Sequence, residues 1–281
     1  MNTAILRRVV ALILVALLLS PPAAATEELK KGTREAFDRY VRVREAQVDQ
    51  EVKHNPFLWV DRQPEKKRVE ILAELRKGEV FIERLRMRDE KGKEIEAPGG
   101  LIHHWLGTVF IPGAKVGQVI ALVQDYNNHA RNYTPDMVLS SILEHKDDCF
   151  QVHMRFYKKK LGFGAVIDND QEACYFPASE KRMHSRARTT RVQQVVNYGQ
   201  ANQALRPVGS DDGFMWALNT YWMFEERDGG VYMQCEAISL SRDIPWYAQL
   251  FRTFITSVPR ESLMFSLGRT RDILTKKYQP K

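Results

Sequence analysis

Cysteine is scarce in this chain: Cys149, Cys174 and Cys235 are the three among 281 residues, far apart and without CxxC or zinc-ligand spacing. That excludes a zinc module or a disulfide-dense scaffold. Because the count is odd and each lies in apolar, strand-like surroundings, each is expected to act as a small buried hydrophobe, with no structural disulfide and no metal site. The patterns GxSxG, HExxH, the P-loop and the dinucleotide glycine motif are absent too. "GFGAVID" carries glycines without a helix behind them, which argues against a phosphate cradle, and no cofactor is expected. Neither sign of charge dominates: 42 Lys+Arg against 35 Asp+Glu give +7, spread along the chain. Such a surface permits transient contact with an anionic membrane. Its basic residues do not alternate with aromatics in the manner of a nucleic-acid binder, so nucleic acid is not an expected partner.

Long apolar runs are also missing. Val9–Leu19 is shorter than the ~20 residues of a membrane-spanning helix. It follows Arg7 and Arg8 and precedes Ala23, Ala24 and Ala25, the basic, apolar and small-residue order of a secretory signal peptide. Residues 1–25 are therefore expected to direct export, to the periplasm or outside the cell. From Glu27 to about Lys53, apolar residues recur at helical spacing (Phe37, Tyr40, Val41, Val48). "HNPFLWVDRQP" breaks that helix, and Pro64 opens a second one that Gly78 stops. Residues 26–78 thus form a helical region ahead of a main domain, 79–281.

That domain begins with strands in "EVFIERLRM" and "LIHHWLGTVFI", followed by a helical pair in "KVGQVIALVQDYNNHARNY". Strands are then expected at Met137–Glu144, Cys149–Lys159, Phe163–Asp168, Ala173–Pro177, Arg182–Val196, Phe214–Glu226 and Val231–Arg242, split by turn-forming polar residues. "IPWYAQLFRTFI" reads as a break with a short helix or loop. A closing helix starts at Pro259 and ends near Lys276 and Lys277. The fold class is α+β, with a curved antiparallel sheet wrapped around a long C-terminal helix and a cavity between the two.

The wording of "TVFIPGAKVGQVIALVQDYNNHARNYTPDMVLSSIL", "RARTTRVQQV", "FMWALNTYWMFEERDGGVYMQCEAISLSRDIP" and "VPRESL" resembles the START/polyketide cyclase/Bet v 1-like (SRPBCC) superfamily, in an exported bacterial branch of no established activity. The resemblance runs from about Glu79 to Lys277. It implies a helix-grip fold with a deep apolar cavity for lipids, sterols or polyketides. It carries over no catalytic residue, because enzymatic members use different residues in each branch.

The hairpin around "ERDGG" raises the question of which face lines that cavity. One face carries Trp216, Leu218, Thr220, Trp222 and Phe224 with Met233, Cys235 and Ala237; the other carries Asn219, Tyr221 and Met223 with Gln234, Glu236 and Ile238. The first suits a dry core or an apolar tail. The second suits a polar ligand group or a surface covered by the N-terminal helices. Glu236 is expected to pair with Arg186 or Arg188 of the preceding strand, with Tyr221 beside it, as a buried charge requires a partner. Trp216, Tyr221, Trp222, Met223, Glu236, Arg186, Arg188, Tyr126 and His129 are the candidate ligand-binding residues, the last two at the cavity mouth. His103 and His104 alternate faces, and either one beside Glu236 has the makings of a general base. Three functions follow: binding or transport of a hydrophobic, lipid-like molecule; a cyclase, dehydratase or hydrolase acting in the same cavity; or an interaction module using the N-terminal helices.

Overall fold

The computed structural model describes residues 27–160, 162–244 and 248–278. The signal-peptide reading of residues 1–25 and the break expected at 245–247 lie outside the described residues.

Helix α1, Lys31–Lys53, buries Phe37, Tyr40, Val41, Arg44 and Val48, positions three, four or seven apart that make one stripe. The preceding residues Glu27–Glu28 pair with Ser210–Asp211 instead of joining the helix. A short 3₁₀ turn at Trp59–Arg62 leads to helix α2, Glu65–Lys77. Its end is where the sequence puts it: Gly78 takes φ 101°, a left-handed conformation that side chains resist.

Eight strands follow: β1 (Phe81–Arg84), β2 (Gly100–Pro112), β3 (Met137–Lys146), β4 (Cys149–Lys160), β5 (Phe163–Ser179), β6 (Arg182–Val196), β7 (Ala217–Arg227) and β8 (Gly230–Arg242). They form one curved antiparallel sheet in the order β1-β2-β8-β7-β6-β5-β4-β3, and Ala204–Leu205 adds a short ninth strand beside β6. Between β2 and β3 lie α3 (Val116–Val123), a 3₁₀ turn (Tyr126–Asn128) and α4 (His129–Asn132). Helix α5, Gln249–Tyr278, closes the fold.

Three expectations are corrected. "DNDQ" is not a turn between two strands; β5 runs through it with a bulge at Asp170/Gln171. Its carboxylates are satisfied across the sheet, Asp168 by Arg155 and Asp170 by Arg191 and His153, so polar residues sit in a strand without loss. The last helix begins ahead of Pro259 and carries it inside. Phe254 and Ile255 pack into a small core with Ile244 and anchor that extra length. Finally, Cys149 and Cys174 are bonded to each other, and only Cys235 is a free thiol. The two are direct cross-strand partners of β4 and β5, with Cα atoms 4.1 Å apart.

The sheet is covered on both faces. On one, α1, the 3₁₀ turn and α2 bring Phe37, Tyr40, Leu58 and Leu75 against Tyr221, Met223 and Ile238. Each such fully buried side chain contributes about 1.5–3 kcal/mol relative to exposure. On the other, α5 sets Leu263, Leu267 and Leu274 against Val109, Ile111 and Phe224. Gly107 of β2 permits that approach, since a Cβ there would collide with Leu267 and Ile82.

Candidate functional site

Between the sheet and α5 lies a cavity of about 300 Å³, at the lower end of the roughly 300–1,000 Å³ of small-molecule sites. Its origin is a deficit of side-chain volume on both walls. Across the sheet, Thr220 of β7 stands opposite Ala187 of β6 and Ala237 of β8, a row of small residues over three adjacent strands. From α5, Pro259, Ser262, Ser266 and Thr270, small residues about one helical turn apart, face it between the larger Val258 and Leu263. Thr220, Trp222 and Ala237 are only half-buried although they lie in central strands under a helix, because their free surface faces the cavity.

Apolar groups make most of the lining, among them Trp222, Phe224, Met154, Phe156, Phe214 and Ile255. The segment between β2 and β3 supplies another wall, with His129 in tilted contact with Tyr126 and edge contact with Tyr133, at ring-centroid distances of 4.8 and 5.1 Å. The Tyr126 hydroxyl lies 2.7 Å from that of Tyr175, which reaches the Val123 carbonyl at 3.4 Å. The Tyr133 hydroxyl lies 2.9 Å from Thr270 Oγ1, which donates to the Ser266 carbonyl at 2.8 Å. Burial pushes Tyr126 up to about 12 and His129 down to about 4, the latter against the pull of hydrogen bonds to the Leu122 and Val123 carbonyls and of nearby Asp125. The charged lining consists of Lys158 and Asp136, which pair with each other. The same pair borders an outer groove with Lys159, Lys160 and Glu261.

Of the expected binding residues, Trp222, Tyr126 and His129 line the cavity. The others belong elsewhere. Tyr221, Met223 and Glu236 point to the opposite face, under α1, the second of the two alternating sets. Trp216 precedes β7, leaves the alternation and donates from Nε1 to Asp211 at 3.0 Å. Arg186 pairs with Asp49 of α1 and Arg188 with Glu172 of β5 at 2.9 Å, so neither holds Glu236.

The partner of Glu236 comes from α1. Arg44 donates to its carboxylate through two nitrogens, at 2.5 and 2.8 Å, and His104 Nε2 donates at 2.7 Å. A carboxylate only accepts, so His104 carries a proton on Nε2, and the Tyr40 hydroxyl lies 2.8 Å from Nδ1. Burial alone would raise the Glu236 carboxyl, but the His104 and Arg44 hydrogen bonds and charges outweigh it and hold it at about 2. Tyr221 does stand opposite Glu236 in the register, yet its hydroxyl goes to Glu45 at 3.0 Å. Arg44 was open to detection: it shares the stripe of Tyr40 and Val48, an arginine where a core residue belongs.

No family model matches the sequence, and no curated protein matches it. Among solved structures, the Zhui aromatase/cyclase of Streptomyces sp. R1128 is similar at 11% identity and TM-score 0.43, over 63% of this chain and 96% of that one. A STAR-related lipid transfer protein of Xanthomonas axonopodis is similar at 18% identity and TM-score 0.40, over 68% and 98%. The human StarD13 lipid transfer and protein localization domain is similar at 9% identity and TM-score 0.40, over 78% and 99%. The order of its own elements, a helical pair after the first long strand, an antiparallel meander and a long last helix lying across the sheet, gives this chain an α+β helix-grip fold.

Proposed function

We propose that the protein binds or carries one apolar or amphipathic small molecule in the cavity between sheet and α5, and that it does so outside the cytoplasm. The observation that carries the reading is the double row of small residues, Ala187, Thr220 and Ala237 facing Ser262 and Ser266, which leaves an apolar space inside an otherwise close-packed fold. Burying a ligand there contributes about 0.8 kcal/mol per methylene. The basic, apolar and small-residue order of residues 1–25 supports export. Catalysis through Glu236 has no support: its carboxylate is fully paired on the far face.

The test is fluorescence titration of the purified protein with N-phenylnaphthylamine, alongside native mass spectrometry for carried lipid. Saturable binding is expected. Ser266→Leu and Ala237→Leu fill the space from opposite walls and should each weaken binding by roughly tenfold, at a stability cost of about 1–3 kcal/mol. A folded protein that takes up no apolar molecule, or binding unaffected by both substitutions, overturns the reading.

A further inference from the structure

We infer that the cavity selects a neutral amphiphile that presents a hydrogen-bond donor, an alcohol or phenol hydroxyl, to His129 and its tyrosine neighbours, and discriminates against carboxylates and phosphates. The inference rests on the proposed binding function and names the ligand class.

The argument is a count of donors and acceptors. His129 is 7% exposed, borders the cavity, and its Nε2 has no partner among the described residues. The Leu122 and Val123 carbonyls lie near the ring, and a carbonyl only accepts. With the ring proton turned toward them on Nδ1, the unpartnered Nε2 presents a bare lone pair. Thr270 gives its proton to the Ser266 carbonyl, so in the Tyr133–Thr270 contact Tyr133 is the donor. Both hydroxyls of the other pair are satisfied when Tyr175 donates to the Val123 carbonyl and Tyr126 donates to Tyr175. The protons of both bordering tyrosines are thus committed. What remains around His129 is a set of acceptors: one imidazole nitrogen and the phenolic oxygens of Tyr126 and Tyr133.

A ligand hydroxyl satisfies such a site, whereas an ionised carboxylate or phosphate brings only further acceptors. Protonating His129 to receive an anion is opposed by its burial. Nor does the lining offer an anion a free cation, since Lys158 is its one Lys or Arg among the described residues and is paired with Asp136. An unpartnered buried nitrogen is a cost that a donor-bearing ligand removes.

The experiment is displacement of N-phenylnaphthylamine from the full chain by decanol, decyl methyl ether and decanoate at neutral pH, with octylphenol to separate phenols from aliphatic alcohols. Decanol or octylphenol should displace the probe at a roughly five- to tenfold lower concentration than the ether and decanoate, the worth of one net hydrogen bond. His129→Phe, which keeps an aromatic ring and removes the lone pair, should lose that preference, read as displacement ratios against the variant's own probe affinity. Tyr133→Phe should keep it in larger part. The ligand series on the unaltered protein stands even if His129→Phe fails to fold. Equal displacement by the ether, stronger displacement by decanoate, or an alcohol preference unchanged in a folded His129→Phe protein overturns the inference and leaves cavity binding intact. Failure of the probe to bind at all overturns both.

Discussion

Glu236 shows how a single residue can be half legible. Its chemistry was readable: a carboxylate among aromatic strand residues needs a guanidinium, and it has one. The identity of that partner was missed, because strand alternation ranks neighbours within a sheet and is silent about a helix laid on top of it. Arg44 approaches from α1, 192 positions away in sequence. That placement sets the expected consequence of Glu236→Ala. With Arg44 3% exposed, removing the carboxylate leaves a buried cation with Glu51 as its remaining anionic partner. The loss is expected to be about 3 kcal/mol, near the lower end for breaking a buried pair. Probe affinity should be unchanged, because the pair lies across the sheet from the cavity. The double substitution Arg44→Met with Glu236→Met should recover much of the stability, since apolar packing can replace a buried pair. Urea midpoints and probe titrations measure both quantities. Lost affinity with unchanged stability would return Glu236 to the ligand and contradict the placement.

Elements were legible where a single periodicity governs them. The stripe of α1, the Gly78 stop of α2 and the β7–β8 hairpin all follow from local pattern. They failed where a cross-strand partner decides. The polar stretch of β5 is strand because Arg155, Arg191 and His153 meet its carboxylates, and none of these lies close in sequence. The disulfide failed for the same reason: Cys149 and Cys174 are 25 positions apart, and only the β4–β5 register sets them opposite one another. A bridge closing a loop of that length stabilises by about 3 kcal/mol in the chain-entropy account. Reduction, or Cys149→Ser with Cys174→Ser, should therefore lower the melting temperature by roughly 6–12 °C for a chain of this size. Thiol titration of the unreduced native protein should find no reactive group, since Cys235 is 1% exposed. One thiol should appear after denaturation. An unchanged melting temperature on reduction would show that the bridge adds nothing to the fold.

At the scale of the molecule, the order of helices and strands specified a sheet gripping a helix, but not which sheet face would be wet. That depends on which face the N-terminal helices claim, and they claim the one carrying His104, Glu236 and Tyr221, against which Tyr40 of α1 packs. Several ionisable groups are consequently sealed between layers, and this sets how the fold responds to acid. Burial, joined by the charge of Arg84, depresses His103 from 6.5 to about 4, and burial depresses His129 from 6.5 to about 4. Above about pH 6.5 both are neutral in folded and unfolded chains and add no pH dependence. Between about 6.5 and 4 the unfolded chain binds these protons and the folded chain does not, so stability falls as pH falls. Two extra protons correspond to a slope of about 3 kcal/mol per pH unit in the middle of that window, and His184, depressed from 6.5 to about 4 by burial and by the charge of Arg186, adds to it. Glu236 acts lower down. Its folded carboxyl at about 2 lies below the ordinary 4.5, so its contribution is present above 4.5 and is lost as pH falls toward 2. Acid unfolding should therefore begin with the histidines, well before the Arg44–Glu236 pair is touched. Urea midpoints measured from neutral pH down to about pH 5 should fall steadily, and His103→Gln, which can still bond Ser241, should reduce the slope by about one proton. A midpoint that stays flat across that range and drops only near the carboxylate pKa would mean that the histidines take up protons in the folded state, and that the layers around them are open to water.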